Sequence, residues 1–240
     1  MNYIISLLIS LVTVSGSIAA QSRQYKIQVN DFTKLKVTGS INVDYRQSSD
    51  SAGYAVFKAP ADQVSLMVFT PKNDQLTIDF KPLEGYAVPV GLPTITVYSN
   101  FLTSVENSGD SLVRVLKQAP VPEMNAKVAG NGTLSLRDVN ANKLNATLQL
   151  GYGNIVVKGE ATVAAFKLVG TGSIQALDLK SSKISCFMAG TGYIECAPTQ
   201  ELTVKGAGSG KVYYTGQPLI NDKYMIGGKL ININEQPIEL

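Results

Sequence analysis

The sequence predicts an all-β fold, a single-stranded β-helix of right-handed sense wound from rungs of about 20 residues. Three observations carry this. Five Gly-x-Gly pairs recur at near-constant spacing: Gly130/Gly132, Gly151/Gly153, Gly170/Gly172, Gly190/Gly192 and Gly208/Gly210, their leading glycines 21, 19, 20 and 18 residues apart. Apolar residues alternate with polar ones on both sides of each pair, the period of a strand with one buried face. No run from residue 25 onward shows convincing helical periodicity. Repetition at this period means a solenoid, in which each coil buries its inner face against its neighbours. The handedness follows the general preference for right-handed crossovers between parallel strands.

At the N-terminus, Ile4 to Val14 is apolar apart from Ser6, Ser10 and Thr13, and small residues follow through Ala19 and Ala20 before polar Gln21-Ser22-Arg23-Gln24. This predicts a signal peptide over 1–20 with cleavage near Ala19 or Ala20, although no Lys or Arg precedes the apolar stretch. An uncleaved anchor is the competing reading, because Ile4 to Ala20 barely reaches bilayer-spanning length. No Cys lies near the site, which excludes a lipid-anchored N-terminus, and no later stretch is apolar enough to cross a membrane as a helix. The mature chain is expected to be exported: periplasmic, cell-surface or secreted.

Residues 21–240 read as one domain in three parts. Over 21–107, short alternating runs at Leu35 to Val37, Ile41 to Val43, Val64 to Phe69, Leu76 to Phe80 and Ile95 to Tyr98 give irregular first rungs with a hairpin-like cover. Asn73-Asp74 suits a hairpin tip, and 81–93, with Pro82, Gly85, Pro89, Gly91 and Pro93, reads as a loop. Over 108–215 the rungs are regular. Leu134/Leu136, Ile155/Val157, Ile174/Ala176, Ile194/Cys196 and Val212/Tyr214 follow the glycines with one phase. Met124/Ala126/Val128, Ala164/Phe166/Leu168, Ile184/Cys186/Met188 and Leu202/Val204 precede them. Before Gly151 the phase slips by one, with Leu144, Ala146, Leu148 and Leu150, which predicts a bulge. At the corners the glycines permit positive φ. Because the open end of a solenoid needs a cover, 216–240, with Pro218 and Pro237, is expected to be a C-terminal cap.

Composition narrows the chemistry. The chain has 240 residues, net charge +3, no His, no Trp and two Cys. Without His there is no His triad, His proton shuttle or His metal ligand, and two Cys cannot build a Cys-only zinc site. The 21 Lys and Arg form no run or stripe, which argues against a nucleic-acid partner. No cofactor and no metal are expected.

Gly39-Ser-Ile-Asn-Val43 after Phe32-Thr-Lys-Leu-Lys-Val37, the Leu76-Thr-Ile and Pro93-Thr-Ile-Thr-Val97 strands, Leu102 to Ser108, the glycine ladder and the ending Val212-Tyr-Tyr-Thr-Gly-Gln-Pro218 together resemble a bacterial family of unknown function. That family is labelled "putative auto-transporter adhesin, head GIN domain", and the resemblance runs over about 25 to 233. It implies an exported right-handed β-helix, related in shape to pectin lyases and typical of Bacteroidetes-type bacteria. It also implies an adhesive role inferred from architecture, with no catalytic residues to carry over. Gly109-Asp-Ser departs from the Gly-Ser-Gly pattern, so a looser corner is expected there.

Three function classes follow. The leading one is an exported, non-enzymatic binding protein for a surface glycan or protein; the others are a polysaccharide lyase or hydrolase on the same scaffold and a structural envelope protein. Lyase chemistry needs clustered carboxylates, and the acids of the repeat block are dispersed, with Asp138, Glu160 and Asp178 able only to stack loosely along one edge. Calcium-binding nonapeptide repeats need Asp two positions after the second glycine, where Leu134, Ile155, Ile174, Ile194 and Val212 stand. Gly206-Ala-Gly-Ser-Gly210 precedes a strand rather than a helix, which removes a phosphate loop. The candidate binding surface is the corner column Asn131, Tyr152, Thr171, Thr191 and Ser209 together with Tyr193, and Tyr213 nearby; the Tyr86 to Pro93 loop is an alternative. Cys186 and Cys196 flank the Gly190 corner as two packed thiols or a disulfide, which thiol titration under denaturing conditions distinguishes.

Overall fold

Strands make up most of the chain that the computed structural model describes, residues 22–81 and 92–234. The signal-peptide segment, most of the 81–93 loop and Pro237 lie outside the described residues. The structure is 69% strand and forms a β-solenoid of about six turns with rungs of about 20 residues.

The first part of the chain contributes β1 (Arg23–Gln28), β2 (Lys34–Val37), β3 (Val43–Gln47), β4 (Tyr54–Ala59), a single helical turn α1 (Ala61–Val64), β5 (Met67–Lys72), β6 (Gln75–Phe80), β7 (Ile95–Ser99), β8 (Ser104–Asn107) and β9 (Leu112–Lys117). Long strands follow: β10 (Val121–Ala129), β11 (Thr133–Gln149), β12 (Asn154–Gly170), β13 (Ser173–Gly190) and β14 (Tyr193–Ala207). The chain then adds β15 (Lys211–Tyr214), β16 (Leu219–Ile226) and β17 (Lys229–Asn232). Rung-to-rung pairing is parallel from β10 through β17.

β11, β12 and β13 each bend twice. In β11 the buried alternation Leu134/Leu136 is broken by exposed Arg137 and Asp138. It resumes at Val139/Ala141, breaks again at exposed Asn142 and Lys143, and resumes at Leu144/Ala146/Leu148. Two successive outward residues mark each bend, and the register shift between Leu136 and Val139 falls on the first of them. A coil therefore has three stretches, with the glycine corner closing it.

The coils are not stacked in chain order. β2 pairs in parallel with both β6 and β8, and β3 with both β7 and β9. The coil of residues 34–47 thus lies between one formed by 75–99 and one formed by 104–117. The hairpin with its tip at Asn73 and Asp74, both at positive φ, carries the chain back to the outer edge through antiparallel β5–β6. Antiparallel β4 and β1 then cover β7. These strands cap the end of the stack, whose parallel edge would otherwise offer unpaired backbone to another chain.

At the other end the expected cap is not found within the described residues. β16 and β17 pair in parallel with β14 and β15 and add a further coil. Its corner is Gly227-Gly228, with Gly208 N donating to Ile226 O and Lys229 N to Gly210 O. The corner lacks a middle residue, which hides it from a search for Gly-x-Gly.

The two glycines of a corner do different work. Gly130, Gly151, Gly170, Gly190 and Gly208 have positive φ, whereas Gly132, Gly153, Gly172, Gly192 and Gly210 do not. The second glycine is buried, and a side chain there would strike the preceding coil; at Gly192 the obstacle is the carbonyl of Gly172. The requirement at the second position is thus close approach rather than positive φ.

The phase slip before Gly151 is an extra residue at the corner. Gln149 aligns with Val169, yet four residues lie between Gln149 and Asn154 where three lie between Val169 and Ser173. Leu144, Ala146 and Leu148 keep the buried phase, and Leu150 turns out to solvent, 73% exposed, at φ 61°. Because a non-glycine residue in this region costs about 1–2 kcal/mol, partly offset by the extra freedom glycine has when unfolded, Leu150→Gly is expected to stabilise by about 0.5 kcal/mol. Urea midpoints of the two proteins check this.

The Gly109 corner is not loose. Asn107, fully buried, donates from Nδ2 to Ser111 O at 2.8 Å and Thr133 O at 3.0 Å, and its Oδ1 accepts from Gly109 N at 3.1 Å. The side-chain amide supplies the bonds that the altered corner sequence gives up. A second buried polar group, Tyr45, bonds Ser99 Oγ at 3.0 Å, and burial pushes its hydroxyl up to about 12.

Candidate functional site

Residues one and three positions after the second glycine of each corner take the outward phase of the strand, opposite to the core residues between them, although Ser173 is covered by its neighbours and buried. Across β11 to β17 they make two columns on one flat face: Thr133, Asn154, Ser173, Tyr193, Lys211, Lys229, and beside it Ser135, Val156, Gln175, Glu195, Tyr213, Ile231. Successive residues in a column are one rung apart, about 4.8 Å.

The centre of this face is built from neighbouring coils. Tyr193 and Tyr213 meet edge to face, ring centroids 6.2 Å apart at 76°. Gln175 Nε2 donates to Tyr193 Oη at 2.8 Å, which orients both groups. Asn154 Oδ1 bonds Ser173 Oγ at 2.7 Å. Glu195 stands between Gln175 and Tyr213, and burial raises its carboxyl above the ordinary range. Two aromatic rings, an amide, a partly desolvated carboxyl and the ammonium of Lys211 therefore share a surface of a few rungs. Rings of this kind offer an apolar face with a polar tip, and the amide and carboxyl supply donors and acceptors for hydroxyl groups.

The Glu195 shift has a stability consequence. The folded protein holds this proton more tightly than the unfolded chain does. The resulting contribution is most favourable below the ordinary carboxylate range and is lost as pH rises through it to the raised folded value. Glu195→Gln is expected to raise the melting temperature at about pH 7 and leave it unchanged near pH 3, below the usual glutamate range. Thermal melts at the two pH values check this.

The other sequence-singled residues lie at the corners. Asn131, Tyr152, Thr171, Thr191 and Ser209 are all exposed on successive coils, with Tyr152 74% exposed. Some of their polar groups serve the corners themselves: Asn131 Oδ1 accepts from Tyr152 N at 3.0 Å, and Thr171 Oγ1 donates to Gly151 O at 3.2 Å. Tyr193 belongs to the flat face, not to this column. Gln175 was missed by sequence reasoning, and its signal is the outward phase it shares with Glu195 and Tyr213.

The carboxylates of the repeat block do not stack on one another. Register places Lys158 opposite Asp178 and Glu160 opposite Lys180, and the pairs close at 2.6 and 2.9 Å. Lys180, bonded to Glu160, holds that carboxyl below its usual range. Lys143–Glu123 and Lys183–Glu201 also bridge adjacent coils, and Arg114 grips Asp44 with two bonds of 2.6 and 2.7 Å. Among the described residues no three His, Cys, Asp or Glu side chains gather to hold a metal, and no helix is long and apolar enough to cross a membrane.

Cys186 and Cys196 are buried thiols. Hydrogen bonding to Cys196, with burial, pushes the Cys186 thiol well above its ordinary range, and Cys196 Sγ donates to Tyr213 O at 3.7 Å.

A family model described as "Putative auto-transporter adhesin, head GIN domain" matches residues 31–218. Among solved structures, a "putative adhesin" from Bacteroides fragilis NCTC 9343 superposes with a TM-score of 0.74 at 22% identity, covering 90% of this chain and 98% of that one. A "putative adhesin" from Parabacteroides distasonis ATCC 8503 gives 0.71 at 21%, covering 88% and 97%. A "putative lipid binding protein" from the same organism gives 0.69 at 24%, covering 89% and 97%. No curated protein matches. At these identities the likeness to solved structures shows a shared fold.

Proposed function

The chain belongs to the family described as "Putative auto-transporter adhesin, head GIN domain", and from that premise we propose that it is an exported, non-enzymatic binding protein that serves adhesion by engaging a surface glycan or protein. The observation that carries this reading is the Tyr193–Tyr213 face, where Gln175 fixes one ring and the rings lie edge to face on adjacent coils. A rigid sheet holds these groups in place, so little order has to be gained on binding.

The arrangement of acids supports binding over turnover. Sugar hydrolysis by the usual route needs two carboxyls about 5 to 9.5 Å apart. Glu195 has Gln175 and Tyr213 as its register neighbours, neither of them a carboxylate. Asp178, Glu160, Glu123 and Glu201 are each engaged by a lysine.

The test is retention of the mature protein on an immobilised panel of surface glycans, with released sugar measured in parallel. Retention without product, weakened by Tyr213→Ala, is the expected result. New reducing ends or unsaturated uronates would replace this reading with an enzyme. No retention and no product would favour a structural envelope role.

A further inference from the structure

The stretch of each coil that precedes the glycine corner turns a different face to solvent. Here Lys167, Phe187, Lys205 and Tyr224 stand in register on four successive rungs, so cations alternate with rings along the solenoid axis. Phe187 is 44% and Tyr224 61% exposed. The adjacent column is short and mostly polar: Asn145, Ala165, Ser185 and Thr203. Tall side chains beside short ones leave a trough of about 370 Å³, lined by both columns from Asn145 to Lys205 and by no carboxylate.

Lys167 differs from five other lysines of these coils. Lys127, Lys143, Lys158, Lys180 and Lys183 each meet a carboxylate on a neighbouring rung. Lys167 forms no ion pair among the described residues, and its ammonium lies 5.8 Å from the centroid of the Phe187 ring. A positive charge held over a ring at a trough wall, with no acid in the lining, complements an anion that has an apolar face.

We propose that this trough binds an acidic polysaccharide that carries carboxylate sugars, laid along the solenoid axis across the rungs. Lys167 and Lys205 are two rungs apart, roughly 10 Å, and meet carboxylates on alternate sugars. Phe187, between them, stacks on the intervening ring, and the amide and hydroxyls of Asn145, Ser185 and Thr203 meet sugar hydroxyls. An extended peptide fits less well, because the rungs already pair their backbone with one another and leave no edge on this face to add a strand to. The inference rests on the glycan-binding reading above and adds a second surface with its own sugar class.

The probes are a hyaluronan decasaccharide, an uncharged chitin hexasaccharide and phosphatidylglycerol vesicles, titrated into the mature protein calorimetrically at two salt concentrations. Hyaluronan is expected to bind, more weakly at higher salt. The double variant Lys167→Gln/Lys205→Gln, and separately Phe187→Ala, should each weaken it roughly tenfold or more, whereas Tyr213→Ala leaves it unchanged. The proposal is overturned if hyaluronan does not bind, if both trough variants bind it as wild type does, or if the vesicles bind instead and lose that binding in the same variants. Chitin binding that depends on Tyr213, without hyaluronan binding, would sink this inference and leave the proposed function standing. Failure of both sugars, together with no retention on the glycan panel, would remove both.

Discussion

Gly190→Ala is expected to destabilise the protein by about 3 kcal/mol. Two costs combine. Gly190 has φ 145°, a conformation that L side chains rarely adopt, and a methyl group there would be driven into the carbonyl of Gly170 on the adjacent coil. That oxygen accepts Thr191 N at 3.1 Å, so it cannot withdraw without breaking the corner bond. Leu150 shows the milder case: a non-glycine corner residue is kept where φ is 61° and the side chain is in solvent, whereas Gly190 has both the more restricted φ and the close approach. Thr191→Ala, at the exposed middle of the same corner, should stay within about 0.5 kcal/mol of wild type. Urea unfolding followed by far-ultraviolet circular dichroism measures both. A near-neutral Gly190→Ala would mean that the corners do not set the spacing of the coils.

The corners were legible because their constraint is local. A glycine forced by φ or by close approach recurs wherever the chain turns, and five such turns carry it in a pattern that needs no partner to be seen. Legibility fails where the neighbour matters. Residues 34–47 read as a rung, but only the detour through β4, β5 and β6 places that rung between coils 75–99 and 104–117, and alternation specifies a face, not which strand lies alongside. Asn107 looks like a polar strand end until Thr133, 26 residues later, is brought against it. The site divides the same way. Tyr193 and Tyr213 stand out as aromatics beside glycines, whereas Gln175 gains meaning from its bond to Tyr193, 18 residues away. Lys167 and Phe187 become a cation over a ring because register sets them on adjacent rungs. The acids read differently for the same reason: their spacing allowed a loose stack, and register set a lysine against Glu160 and another against Asp178 instead.

Phe166→Ala is expected to cost about 4 kcal/mol, within the usual range for removing a fully buried ring. Phe166 is 1% exposed and lies in the inward ladder Ala126, Ala146, Phe166, Cys186, Val204. Small residues stand on both sides of it, so the ring fills width that Ala146 and Cys186 leave open. Strands hydrogen-bonded on both edges hold their spacing and resist collapse into the space, which favours a large cavity term. Phe166→Leu keeps most of the volume and should recover most of the loss. Because each coil touches only its neighbours, a cavity in the middle of the stack also weakens the contact between the two halves. Phe166→Ala is therefore expected to lower the urea m value as well as the midpoint, as the halves begin to unfold separately. A loss below about 2 kcal/mol with an unchanged m value would show instead that neighbouring coils close around the missing ring.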